Sequence, residues 1–337
     1  MLPYLRAQVA DAVVAHAEPA IHAELVRLLS RPGYALHPEG RCRAGLFALE
    51  VYGSLRGAYD RSALQAAAAV ELQMQSAYVF DQVSDGESDE RDRAEDLALA
   101  IALLMASIAT AAEASSGLPG GAAAMRHFCA STGGACAGQY LDAMLERRGG
   151  ATLEEAHRMT RLKSGSLGAF AAGFAARLAG VPGVEAEVST LFESLGFNLF
   201  TCAQLVDDHR DGCIPGAASD LARSKATLPV VFFSLHGPRP GGDEVSRYGT
   251  GALRDGSVDS DARGDGTLST AVHDVYESSG APLYSAVLAL AYLGRARADL
   301  QRLAERGCSI GPLGRYLEGV EAEAARTLGA VGAGVVA

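Results

Sequence analysis

The stretch LALAIALLMASIATAA, residues 97–112, contains no turn former and no β-branched run, and similar Ala- and Leu-rich stretches recur along much of the chain. Alanine and leucine are among the best helix formers, whereas a strand requires period-two alternation or a β-branched run. Such alternation is scarce here and Trp is absent, so the chain is expected to be all-α. Val9, Val13, Ile21, Leu25 and Leu28 recur at helical spacing and predict one amphipathic helix over 5–30, stopped by RPG. After a turn around His37–Gly40, further helices are expected at about 43–57, 61–84, 91–116, 121–146, 152–179 and 184–211, separated by SSGLPGG, RRGG and GVPG. Helical pattern resumes near 272 and ends in a helix near 315–330. Long helices joined by short turns make a bundle.

A chain of 337 residues can bury a large core, and the even composition favours a single domain over 1–337. One segment differs. Residues 236–270 are rich in Gly, Asp, Ser and Arg and poor in core formers, which predicts a flexible loop interrupting the bundle. The 97–112 stretch falls short of the about 18–20 apolar residues of a membrane span and is flanked by Glu95, Asp96 and Glu113. A buried central helix is expected there, with no membrane span.

The formal charge is −11, with no basic stripe to neutralise a phosphate backbone, which excludes nucleic acid as a partner. The six cysteines show no CxxC pairing, and Arg6 and Asp11 interrupt the N-terminal apolar stretch, so no signal peptide is read there. A cytoplasmic protein with free, buried thiols is expected.

Two acid clusters follow apolar helical stretches. In DQVSD, Asp81 and Asp85 are four residues apart and project from one helix face. In AQLVDDHRDG, Asp207, Asp208 and Asp211 place like charges at i,i+1 and i,i+4, an arrangement that destabilises a helix unless cations offset it. His209, within the second cluster, is read as solvated. Magnesium takes oxygen ligands, retains waters, and is typically held by one or two carboxylates plus substrate phosphates. Two carboxylate rims facing one another would clamp a diphosphate through bridging metals and make it a good leaving group. An apolar cavity beneath would shelter a carbocation. Phe170, Phe174, Phe197 and Phe200 are read chiefly as core.

These motifs resemble the trans-isoprenyl diphosphate synthase (polyprenyl synthetase) family. AQLVDDHRDG followed by SDLARSKATLPVV is similar to the family's second Asp-Asp-x-x-Asp motif, with Gln204 before it and Asp220, Leu221, Lys225, Thr227 and Pro229 after it. RLKSGSLGAF resembles the Lys-Thr segment through Lys163 and Ser164, and CAGQYLDAM resembles the Gly-Gln-x-x-Asp segment through Gly138, Gln139 and Asp142. DQVSD then stands for the first Asp-rich motif, with Gln82 in its second place.

The resemblance implies an isoprenoid-synthase helical bundle around a deep central cavity, and a homodimer. It implies Mg2+, three ions with the diphosphate bound, held by Asp81, Asp85, Asp207 and Asp211, with Asp208 and Lys163 joining them as catalytic residues. Lys163, Lys225 and Arg91 would bind the diphosphate, assisted by Ser164 and Gln204. Arg41 and Arg43 survive from the segment that holds isopentenyl diphosphate. Ala77 and Ser76, small residues before the first motif, imply a deep hydrocarbon pocket, which Tyr78 could narrow.

Departures from the pattern fall mainly on the acceptor side. Gly40 and Ala44 replace a Lys and a Pro, Met74 replaces a His or Gln, Glu90 replaces one Arg, and Gly216 stands where a second Lys is expected. Each charged hydrogen bond to a diphosphate contributes about 1.5–3 kcal/mol, so losing two partners would cost several kcal/mol. The expected activity is prenyl transfer from an allylic isoprenyl diphosphate to isopentenyl diphosphate or an unusual acceptor. The alternatives are a class I terpene cyclase acting on a C15 to C25 allylic diphosphate, and a non-catalytic partner subunit of a prenyl synthase. Retaining three mutually repelling acids argues against the last.

Overall fold

The computed structural model describes residues 1–40, 42–86, 92–180, 186–213, 220–237 and 270–336. Among the described residues there is no strand, in line with the all-α expectation. The helices are α1 Leu2–His16, α2 His22–Leu29, α3 Arg43–Arg56, α4 Arg61–Ser84, α5 Arg93–Ser115, α6 Gly121–Arg148, α7 Leu153–Thr160, α8 Ser166–Ala179, α9 Ala186–Cys213, α10 Leu228–His236, α11 Thr270–Ser278, α12 Ala281–Glu305 and α13 Gly311–Val336.

Local chemistry sets several boundaries. The Asp60 side chain accepts from Ala63 N at 2.9 Å and starts α4. Gly57, left-handed at φ 71°, ends α3. Thr152 and Glu155 form a reciprocal capping box at the start of α7. The single helix read over 5–30 is broken: Ala17 and Glu18 are extended before Pro19, whose ring disfavours helical geometry in the preceding residue. The single helix read over 152–179 is also divided, by a π turn at Arg161–Gly165. Helix α10 was not anticipated. Apart from His236, Gly237 and Thr270, the segment read as a loop lies outside the described residues.

The chain forms two compact units. The first comprises Met1–Gly133, Ser166–Phe197 and Arg297–Tyr316. In its core the rings of Phe128 and Phe170 meet edge-on with centroids 4.7 Å apart, and Phe174 packs beside both. Helices α4 and α5 pack through alanines and serines. Ala66, Ala67, Ala68 and Ala69 are buried, Ser76 donates to Ala100 O at 2.8 Å, and Ser107 donates to Ala69 O at 2.6 Å. Helix α5 is less buried than expected. Leu103 and Ala106 are fully buried, but Ile101 and Met105 are 51% and 50% exposed because only one face of the helix packs on α4. By length and composition it is the one helix among the described residues that could cross a membrane.

The second unit comprises Gly134–Gly165, Asn198–Ala296 and Leu317–Ala337. Tyr276 is fully buried near Gly212, Phe232 stacks on Tyr284 at 4.7 Å, and His157 shares a hydrogen bond of 2.8 Å with Tyr292. Among the described residues Cys42, Cys129, Cys136, Cys202 and Cys308 are free, as expected, but of these five only Cys42 and Cys202 are buried. Cys129 and Cys136, seven residues apart, lie on an exposed face of α6.

In the first unit α8 and α9 cross so closely that a Cβ added at Gly196 would collide with the carbonyl oxygen of Gly168. Gly196→Ala should therefore cost about 1–3 kcal/mol, as overpacking does. Gly294, with nothing within 4 Å of an added Cβ, should gain about 0.5–1 kcal/mol as Ala. Thermal unfolding followed by circular dichroism checks both, and equal midpoints for the two variants would refute the close crossing.

Candidate functional site

Helix α9 divides its three acids. Residues i and i+4 share a helix face while i+1 is turned away. Asp207 and Asp211 are accordingly 46% and 41% exposed, and both bond to one guanidinium, Arg210, at 2.8 and 3.1 Å. The two carboxylates thus converge on a single cation. Asp207 is held above its ordinary carboxylate range, first by desolvation, which Arg210 opposes and Asp211 and Glu323 reinforce. Asp208 is 4% exposed and faces inward. Gln204 Nε2 donates to its Oδ1 at 2.8 Å, while its Oδ2 is buried without a hydrogen-bond partner among the described residues. Burial, then the charge of Asp220, raises the Asp208 carboxyl well above its usual range.

Gln204 connects this helix to the π turn, accepting from Ser164 Oγ at 2.7 Å. Lys163, on the same turn, donates to Asp142 Oδ2 at 2.5 Å, and its charge also acts on Asp208. Four residues named from the sequence, Lys163, Ser164, Gln204 and Asp208, therefore belong to one network. His209 corrects the solvated reading. It is 6% exposed because α9 packs on the start of α12, where its Nδ1 lies 3.2 Å from Ser285 Oγ.

The segment after α9 folds back on the helix. Asp220 N donates to Asp211 O at 3.3 Å, and Lys225 N donates to Asp220 O at 3.0 Å. Ser224 takes a left-handed φ of 54° within this turn. Burial raises the Asp220 carboxyl to about 6, against the pull of Lys225. Asp220 and Lys225 are thus neighbours in this turn.

In the first unit, Asp81 lies near the end of α4 and Asp85 caps it. Asp85 N donates to Asp81 O at 2.8 Å, so helical spacing persists between the two half-buried acids. Gln82 is engaged elsewhere: its Oε1 accepts from the buried Tyr34 hydroxyl at 2.5 Å. Ser76 is buried in the α4–α5 seam, Ala77 is half-buried, and Tyr78 is exposed with its ring 5.1 Å from that of Tyr34. Met74 is half-buried and Arg43 exposed. Arg41, Glu90, Arg91 and Gly216 lie outside the described residues.

The segment leading into α3 is held from within. Arg6 donates to Pro38 O at 2.9 Å and also to Gly40 O. Glu71 accepts from Gly45 N at 3.0 Å and from Gln75 at 2.7 Å, and burial raises its carboxyl above the ordinary range. A Cβ added at Gly40 would collide with Tyr34 O, so the backbone itself excludes a side chain where the resembling family has Lys. Sequence reasoning missed Arg210 and Glu323 beside Asp207, and Glu71 beneath Gly45. Arg210 was visible at i,i+3 from Asp207, whereas Glu323 and Glu71 had no local signal.

Among the described residues no three His, Cys, Asp or Glu side chains form a metal-ligand group by themselves. Paired carboxylates converging on one cation nevertheless fit Mg2+, for which phosphate oxygens and waters ordinarily complete the coordination sphere.

Comparison with known proteins gives a consistent picture. Residues 27–239 match the sequence model of a family described as Polyprenyl synthetase. A polyprenyl synthetase from Streptomyces coelicolor A3(2) is similar in structure, with 22% identity, 96% of this chain and 95% of that chain covered, and a TM-score of 0.69. A polyprenyl synthase from Caulobacter crescentus CB15, complexed with calcium and isoprenyl diphosphate, has 21% identity, 96% and 93% coverage and a TM-score of 0.71. A geranylgeranyl pyrophosphate synthetase from the archaeon Geoglobus acetivorans has 19% identity, 96% and 97% coverage and a TM-score of 0.72. These likenesses establish the all-α isoprenoid-synthase fold. No curated protein sequence matches.

The Asp220 shift carries a pH signature. Its folded value, about 6, lies above the ordinary 3.8, so folding favours the neutral acid. That contribution is fully present below about pH 4 and is lost as pH rises through 6, up to about 3 kcal/mol for a two-unit shift. Asp220→Asn cannot ionise. Without metal, its stability relative to the wild type should therefore rise between pH 4 and 7 in urea unfolding, and a pH-independent difference would contradict the assignment.

Proposed function

The chain belongs to the polyprenyl synthetase family, and from that premise we propose that it is a magnesium-dependent prenyltransferase. It ionises an allylic isoprenyl diphosphate and passes the prenyl group to isopentenyl diphosphate or to an unusual acceptor. The observation that carries this reading is the convergence of Asp207 and Asp211 on one cation. In this reading Asp207 and Asp211, and likewise Asp81 and Asp85, are the divalent-cation ligands. Bound Mg2+, three ions with the diphosphate, would neutralise the leaving group.

The chain's own groups do the rest. Lys163 and Lys225 present ammonium groups to phosphate oxygens, with Arg91 as a further cation. Ser164 and Gln204 hold the π turn against α9, and buried Asp208 orients Gln204. Arg41 and Arg43 serve the acceptor, and small Ala77 leaves room for the hydrocarbon, whereas Ser76 is taken up by the α4–α5 seam. The closed position at Gly40 and the apolar Met74 favour an acceptor that asks for fewer diphosphate contacts than isopentenyl diphosphate does.

Incubation with Mg2+ and C10, C15 and C20 allylic diphosphates, with and without isopentenyl diphosphate or candidate acceptors, tests the reaction. A prenylated acceptor or a longer diphosphate is expected. A hydrocarbon or alcohol formed without any acceptor would instead identify a cyclase or hydrolase. Asp207→Ala should lower turnover at least about a hundredfold, since metal-mediated charge stabilisation amounts to several kcal/mol. Undiminished activity in that variant excludes the cluster as the metal site.

The proposal includes a homodimer, supported by Ile101 and Met105 exposed one turn apart on α5. Light scattering should give about twice 34.8 kDa. A monomer at micromolar concentration rules the dimer out.

A further inference from the structure

The π turn Arg161–Gly165 carries Lys163 between α7 and α8. Such a turn re-aims side chains relative to a regular helix and is frequent at functional sites. Helix α6 approaches this turn so closely that a Cβ added at Gly138 would overlap the backbone nitrogen of Lys163. Only glycine permits that approach. Asp142 lies four residues further along α6, on the same face as Gly138. Its carboxylate is 5% exposed and accepts from Lys163 Nζ at 2.5 Å. The Lys163 side chain is itself only 16% exposed.

A buried ion pair is poor evidence for stability, because desolvation offsets much of its attraction. What it does supply is direction. A lysine has a long, freely rotating stem, and a short charge-assisted bond to a carboxylate on a rigid helix fixes where its ammonium sits. We propose that Asp142, with Gly138 as the gap that admits the π turn, is a positioning residue that sets the Lys163 ammonium for a diphosphate group. This rests on the diphosphate role given to Lys163 above. Asp142 does not touch substrate; it acts through Lys163.

The test is a double-mutant cycle on the affinity for inorganic pyrophosphate with Mg2+, measured by calorimetry on the full chain, so that it needs no turnover. Asp142→Asn should weaken binding about tenfold or more, as loss of a charge-assisted contact does. In a Lys163→Ala background the same change should shift affinity less than about twofold, because its target is gone. An equal effect in both backgrounds, or no effect in either, overturns the proposal.

Asp142→Glu keeps the charge and lengthens the reach by one methylene, and so guards against an Asn variant that does not fold. Turnover of an allylic diphosphate should fall about tenfold or more, mainly in kcat, because a displacement near 1 Å is costly in an oriented site. Wild-type kinetics in that variant overturn the proposal. A coupled cycle with no prenyl product would leave the positioning role standing and defeat the transferase reading. Product formation with an uncoupled cycle would do the reverse.

Discussion

Close approach of one backbone to another is the constraint on which the rest of the structure depends. Alanine-rich helices bury little apolar area per residue, so their packing must recover in contact what it lacks in side-chain volume. Gly196 against Gly168, Gly45 against Ala67 and Gly138 against Lys163 are among the points where nothing larger than hydrogen fits. At such distances a serine hydroxyl on one helix reaches a carbonyl on the next, as Ser76 and Ser107 do. These two serine hydroxyls are therefore paired within the seam, as buried donors ordinarily are.

The same geometry explains how α9 tolerates three acids. The triplet does not act as one block of charge. Asp208 turns into the protein, where burial raises its carboxyl above the usual range and Gln204 holds it. Asp207 and Asp211 turn toward solvent and share Arg210. Repulsion is relieved by two different means on two faces of one helix. The inward acid is tied through Gln204 to the π turn that carries Ser164 and Lys163, so the outward pair and the lysine are set by a common scaffold.

Much of this was legible beforehand, because helical periodicity and the acid spacings are local properties. The bounds of α4 and the start of α3 followed from residues within them. Less legible was whatever depends on a neighbour distant in sequence. The π turn lies inside a stretch that reads as continuous helix and carries no Gly or Pro signal before Gly165. His209 reads as polar and solvated until the packing of α12 buries it. The break at Ala17–Glu18 was legible through Pro19, but the apolar periodicity outweighed it. Lys163 was identifiable by type and position, whereas its pairing with Asp142 depends on which face of α6 meets the π turn.

The hydrogen bond from Tyr34 to Gln82 bears on what position 82 can hold. Aspartate at position 82 would be one methylene too short to receive the Tyr34 hydroxyl in the same place, and its charge would sit half-buried without that partner. The carbonyl of Tyr34, in turn, occupies the space that a side chain at position 40 would need. Glutamine at 82 and tyrosine at 34 are thus coupled through their side chains, whereas glycine at 40 is imposed by the backbone alone. The two departures, one inside the acid motif and one in the neighbouring turn, therefore answer to a single residue, the first through its hydroxyl and the second through its carbonyl.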